Sequence, residues 1–323
     1  MLLVIDSENL GIDFDNLHIV LRNLYDDMTP LCEDMAGVAR VIAGIGALLF
    51  IGYKVWGCLA RAEPIDVYPL LRPFCLGLCI IMFPVVLSCI NGILSPVVTG
   101  THSILEGQTL SLDKCREQRE QLEYEALVRN PEMAYLVSDE ALDKELENLG
   151  WSPKDLATIA GMYISREWYK MKKDFRDLFV AILETIFQAA ALVLDTLRTF
   201  FLVILSILAP LVFAISCYDG FQASLTNWFT RYISIYLWLP IADLLSAMLA
   251  RIQVLMIQKD VAQLSDPAFI PDSGNMVYII FMCIGILGYF TVPTVADWIV
   301  KSGGAGNYQK TINDQAKKIT GIK

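Results

Sequence analysis

The chain has 323 residues, 55% of them hydrophobic and only 19% charged, with a mean hydropathy of +0.50 and a formal net charge of −10. Soluble domains carry charge on about 25% of their residues, so an ordinary water-soluble enzyme is excluded. The apolar residues are also blocked: 73–105 runs 33 residues without Asp, Glu, Lys or Arg, 199–218 runs 20 and 273–296 runs 24, where a bilayer-crossing helix needs roughly 20.

No alternating ten-residue strand patterns accompany these blocks. Lipid admits only helices or closed barrels, so the expected fold is all-α: a polytopic helical integral membrane protein with about five transmembrane spans and a helical extramembrane insert. In chain order, residues 1–34 are an acidic segment, and through residue 40 the chain holds 8 acidic and 2 basic groups. Asp6 and Glu8 follow the opening apolar residues directly, so no secretory signal is expected.

Residues 35–98 hold the first two spans, about 36–60 and 74–98. Arg40 and Lys54 lie near the ends of the first, within snorkelling reach of an interface. Ala39, Ala43 and Ala47 recur every four residues, a stripe that lets a helix approach closely, either from this chain or from another. Pro84 and Pro96 interrupt the second span, which is expected to end kinked or partly unwound.

Residues 99–177 form the one sizeable polar region, with 11 basic and 16 acidic residues. Its punctuation is helical. A charged helix is expected from near Leu112 until Asn130-Pro131 breaks it, Ser138 precedes Asp139-Glu140 as an N-cap, Gly150 is a stop, and Ser152-Pro153 is a start.

Residues 178–300 comprise a striped helix and a C-terminal bundle with spans near 199–218, 232–256 and 276–299, separated in part by an Asp219-Gly220 turn. From Tyr163 onward the chain reads as one long helix. Asp177, Glu184, Gln188 and Asp195 are offset by 7, 4 and 7 residues, which at about 100° per residue keeps them on one face. Trp56, Trp228, Tyr232, Trp238 and Trp298 stand near segment ends as expected interfacial anchors. The tail, 301–323, is basic, with 5 basic residues and 1 acidic.

Cytoplasmic loops are enriched in Lys and Arg. The 61–72 connection has 2 basic and 2 acidic residues just after Lys54, whereas 259–272 has 1 basic and 3 acidic. Five spans with a periplasmic N-terminus and a cytoplasmic C-terminus satisfy these signs and put 99–177 outside. The cluster Arg166, Lys170, Lys172, Lys173 and Arg176 runs against them, because it favours the cytoplasm or anionic head groups. If 178–197 also spans, the count becomes six.

Catalytic signatures are lacking. The two histidines, His18 and His102, lie far apart, and no phosphate loop, H-E-x-x-H helix or G-x-S-x-G elbow occurs. Neither enzymatic activity nor a metal or cofactor is expected. Of eight cysteines, Cys75 and Cys79 share a helix face without an accompanying ligand, which suits packing. Cys32 and Cys115 both fall outside the spans, as either a disulfide or two free thiols.

The sharpest signal is Asp243, in a segment otherwise free of charge. An ionised carboxylate there costs several kcal/mol unless paired, hydrated or protonated. Arg251, eight residues on, or Arg198 from the neighbouring segment could pair with it, either as a structural ion pair or as part of a transport path.

The last span and its exit, Gly285-Ile286-Leu287-Gly288-Tyr289-Phe290-Thr291-Val292-Pro293-Thr294-Val295-Ala296-Asp297-Trp298-Ile299-Val300, followed by Gly303-Gly304-Ala305-Gly306, carry a resemblance. With the acidic N-terminus, the charged loop after two spans and the hydrophobic C-terminal half, the chain resembles the TraJ proteins of Bacteroidetes conjugative transposons. These are similar to the polytopic VirB/TrbL-type inner-membrane component of type IV secretion systems. The chain ends about twenty residues after its last span, unlike longer TrbL-type members, so a function placed on a large soluble C-terminal domain is not expected to carry over.

The resemblance implies a homo-oligomeric ring in the bacterial inner membrane that passes single-stranded DNA and relaxase and supports assembly. Its implied partners are the ATPases and core complex of the apparatus, with the ATPases supplying the energy. On this reading Glu184, Gln188, Asp195, Arg198, Asp243 and Arg251 are polar or channel candidates, and Lys170, Lys172, Lys173 and Arg176 meet DNA or lipid head groups. The competing reading, an ion- or proton-coupled secondary transporter using Asp243, would be marked by an inverted repeat, and none is visible. A scaffold that only anchors other subunits is the third.

Overall fold

A computed structural model of the chain describes residues 14–65, 67, 70–150, 152–218, 220–264 and 276–301. Regular structure among them is helical: α1 (Phe14–Met28), α2 (Leu31–Ala60), α3 (Leu71–Ile81), α4 (Phe83–Arg129), α5 (Pro131–Val137), α6 (Asp139–Glu147), α7 (Pro153–Ile215), α8 (Ala223–Tyr236), α9 (Trp238–Leu264) and α10 (Met276–Val300). Five stretches are long and apolar enough to cross a membrane: Ile19–Ala60, Phe83–Arg129, Pro153–Ile215, Ala223–Leu264 and Ile279–Val300. The fold is all-α and polytopic, as the blocked composition requires. The Asp219 half of the expected turn, the basic tail beyond Lys301 and residues 1–13 of the acidic N-terminal segment lie outside the described residues.

Helix boundaries follow local chemistry. Pro131 opens α5 directly after Asn130, and the Ser138 side chain accepts from the Ala141 backbone N–H at 3.4 Å to cap α6. Asp139 and Glu140 then sit in the first turn, where the helix dipole favours them. Gly220 adopts φ +91°, a conformation that L side chains avoid.

The proline reading of the second span needs correction. The break falls at Met82, which ends α3. Pro84 then occupies the first turn of α4, where its missing N–H has no intrahelical partner to lose. Pro96 lies inside α4 without ending it. The charged stretch from Leu112 is therefore no separate helix but the continuation of the same one to Arg129.

The chain divides into two compact units, each built from stretches distant in sequence. One combines Phe14–Thr101, Ala191–Ala242 and the residues from Phe290 on. Its core packs Ala36, Ala39 and Ala43 of α2 with Ile80 of α3, Phe83 and Leu87 of α4, Phe213 of α7, and Trp228 and Tyr232 of α8. The alanine stripe thus serves packing within the chain at Ala39 and Ala43. Trp228 stands 5.8 Å edge-on from Phe213 and 5.2 Å stacked on Tyr232, pairs worth about 0.5–1.5 kcal/mol each beyond burial.

Trp228, Tyr232 and Trp238 are all buried, so three of the expected interfacial anchors are core residues. Trp56 and Trp298 are exposed. Two of the three buried polar tips find partners, whereas Trp238 Nε1 has no hydrogen-bond partner among the described residues. Trp228 Nε1 donates to the Leu205 carbonyl at 3.0 Å, and Tyr232 Oη donates to Asn91 Oδ1 at 2.7 Å. Asn91 Nδ2 in turn donates to Tyr25 Oη at 2.9 Å.

The other unit combines His102–Ala190 with Asp243–Tyr289. Leu112 of α4 packs there with Ala250, Val254 and Ile257 of α9. Against α10, glycines permit close approach: a Cβ on Gly285 would stand 2.6 Å from Leu249 Cδ1 and 2.8 Å from Phe187 Cε2, and one on Gly288 2.9 Å from Leu245 Cδ2.

Candidate functional site

Two polar features distinguish the unit His102–Ala190 with Asp243–Tyr289, and both follow from helical spacing. On α4, Arg116, Arg119, Glu120, Glu123 and Leu127 lie three or four residues apart and share a face. On α7 the same holds for Tyr169, Lys173, Asp177, Val180 and Glu184, with Arg176 beside them. On α9 it holds for Gln253, Met256, Ile257 and Asp260. These faces enclose a cavity of about 420 Å³, lined by four basic and five acidic side chains.

Arg116 donates to Glu184 Oε1 at 2.8 Å. Arg119 stands 3.8 Å from Glu123 and 3.5 Å from Asp260. Arg176 Nε donates to Asp177 Oδ1 at 3.1 Å. The acidic stripe and the basic cluster, read from the sequence as two surfaces with separate tasks, meet here: Asp177 and Glu184 face the same space as Lys173 and Arg176.

The remaining stripe residues go elsewhere. Gln188 is exposed, and Asp195 is buried in the other unit, 3.4 Å from Arg198. Arg198 also lies 5.2 Å over the Tyr236 ring.

Within the basic cluster, Arg166 bonds Asp139, and the Lys170 ammonium is 3.4 Å from Glu167. Lys172 is exposed. The Arg166 hydrogen bond, reinforced by its charge, holds the Asp139 carboxyl below the usual carboxylate range.

The second feature surrounds Asp243, which is buried on α9. Among the groups brought to it is His102 of α4: Nδ1 lies 4.0 Å from Asp243 Oδ2, and Nε2 lies 3.4 Å from Glu106. Nearby on α9, Ser246 shares a 2.7 Å hydrogen bond with Tyr289 of α10. The sequence pointed to Arg251 or Arg198. Arg251 is exposed, and Arg198 is held by Asp195 and Tyr236.

His102 was missed because it stands 141 positions from Asp243, at the end of an uncharged run that read as an interface. Its one local signal was the i,i+4 spacing with Glu106. Arg116, Arg119, Glu120 and Glu123 entered only as part of a charged helix and Asp260 only in the charge count of 259–272, although the three- and four-residue spacing of the first four was visible.

Cys32 and Cys115 are both free thiols. Cys32 is sealed in the core with Ala36 and Phe83, and Cys115 packs beside Leu112 and Val254, so apolar burial rather than bonding is their role. Among the described residues, no three His, Cys, Asp or Glu side chains are grouped as a metal ion would require.

No curated protein matches the chain. The chain does match the family of homologues of TraJ from the Bacteroides conjugative transposon over residues 12–322, and with five membrane-length apolar helices it belongs to that family as a multi-pass membrane protein of a conjugation system.

Proposed function

We propose that this protein is an inner-membrane channel or scaffold subunit of a conjugative type IV secretion apparatus, giving passage to single-stranded DNA and relaxase and supporting assembly. Family membership across 12–322 is the observation that carries the reading. Subunits form a homo-oligomeric ring with periplasmic N-termini and cytoplasmic C-termini. They perform no chemistry of their own and draw energy from partner ATPases beneath the core complex.

Charge decides which residues meet the strand. A DNA strand is a polyanion with no cation of its own and is repelled by carboxylates, and Lys173 and Arg176 share their cavity with five of them. Exposed Lys172 and the neighbouring Lys170 are the better DNA contacts. Formaldehyde crosslinking during active mating should recover transferred DNA on the wild-type subunit and at least tenfold less on a Lys170→Gln, Lys172→Gln variant present at normal membrane level. Absence of any crosslink to the wild-type protein during transfer would reject the channel and leave the scaffold.

The 4.0 Å approach of His102 to Asp243 favours a second reading, an ion- or proton-coupled transporter. Reconstituted vesicles would then show a proton flux that Asp243→Asn abolishes.

A further inference from the structure

The charged cavity has a composition that neither nucleic acid nor a simple cation fits. Four basic against five acidic lining groups leave it nearly neutral and slightly negative, so a polyanion gains nothing there. Most of these charges neutralise one another through the Arg116, Arg119 and Arg176 pairs. Two do not: among the described residues, Lys173 and Glu120 form no ion pair. One ammonium and one carboxylate thus remain to meet a ligand, on facing helices of a single space.

The volume, about 420 Å³, lies within the roughly 300–1,000 Å³ range of small-molecule sites. Leu127, Val137, Val180 and Ile257 add apolar wall to the charged lining. The site also lies where α4 and α7 change character. Arg116 follows the 33 uncharged residues of 73–105, and Glu184 precedes the 20 of 199–218. The cavity therefore lies on the polar side of both uncharged runs.

We propose that this cavity binds a phosphoethanolamine group, with the phosphate on Lys173 and the primary ammonium on Glu120. A primary ammonium donates three hydrogen bonds to carboxylates. The quaternary ammonium of choline donates none, and glycerol supplies no positive charge. Phosphoserine also carries a primary ammonium but adds a carboxylate that a slightly negative cavity disfavours, so the chemistry selects ethanolamine from among common head groups. The proposal stands independently of the DNA-transfer reading, because the DNA contacts proposed above are Lys170 and Lys172 and the ligand is different.

The test uses the full chain in nanodiscs of phosphatidylglycerol mixed equally with either phosphatidylethanolamine or phosphatidylcholine, followed by transfer to detergent and native mass spectrometry. The expected result is one phosphatidylethanolamine retained per chain, no retained phosphatidylcholine, and about tenfold lower retention in both Lys173→Gln and Glu120→Gln. Lys154→Gln, an exposed change at the start of α7, should retain lipid as the wild type does, and a monodisperse elution profile checks folding of each variant. Competition with water-soluble glycerophosphoethanolamine distinguishes the sources: displacement at micromolar concentration assigns the site to a free phosphoethanolamine compound, and resistance to it assigns the site to lipid. Equal retention of phosphatidylcholine, or undiminished retention in both cavity variants, overturns the proposal. So would a single-stranded oligonucleotide whose binding is lost with Lys173→Gln while lipid retention is unchanged.

Discussion

Arg116 on α4 donates to Glu184 on α7 at 2.8 Å, joining two residues 68 positions apart. Both partners are more than a third exposed, so the pair contributes about 0.2–1 kcal/mol. A double-mutant cycle with Arg116→Gln and Glu184→Gln should show coupling of that size by thermal unfolding in detergent. Strict additivity of the two changes would show that the pair carries no energy.

Asp243 should matter through its charge or hydrogen bonding. Asp243→Leu is expected to abolish conjugative transfer, Asp243→Asn to be partly tolerated, and His102→Gln to reproduce the milder defect, each scored as mating frequency at matched membrane levels. Wild-type frequency from the leucine variant would remove the site from consideration.

The Arg166–Asp139 bond makes a pH-dependent contribution. Because the folded carboxyl titrates below its ordinary value of 3.8, its stabilisation is fully present above that value and is lost as pH falls through the depressed one. Wild-type and Asp139→Asn proteins should therefore differ in hydrogen exchange around α6 at pH 6 and converge as the pH drops below about 4. A difference that persists undiminished in acid would assign it to packing instead.

Space at the α9 and α10 contact is tight. Gly285→Leu forces a side chain onto Leu249 and Phe187, and overpacking of this kind costs about 1–3 kcal/mol. Thermal unfolding should register it, with a smaller loss for Gly285→Ala because the Leu249 methyl can swing away. Unchanged stability in the leucine variant would refute the contact.

Orientation is checked by cysteine labelling of intact cells. Single cysteines at Asn130 or Glu140 should react with an impermeant reagent and one at Lys317 should not. The opposite pattern would place the 99–177 region in the cytoplasm.

Much of this architecture was legible in the chain itself. Uncharged runs of membrane length dictate spanning helices, because lipid offers the backbone no hydrogen-bond partners. The Ser138 cap and the first-turn Pro153 mark local boundaries by local chemistry. The resemblance carried by the last span reached the family as well. Only the tertiary structure decided what each polar residue faces. The stripe of Asp177, Glu184, Gln188 and Asp195 is one face of one helix in the sequence, yet its members meet a charged cavity, open surroundings and, at buried Asp195, the half-buried Arg198. Likewise Trp228 and Tyr232 near a segment end looked interfacial until α2, α4 and α7 closed over them. Periodicity fixes direction around a helix axis, whereas charge neutralisation and burial depend on which distant helix supplies the other wall.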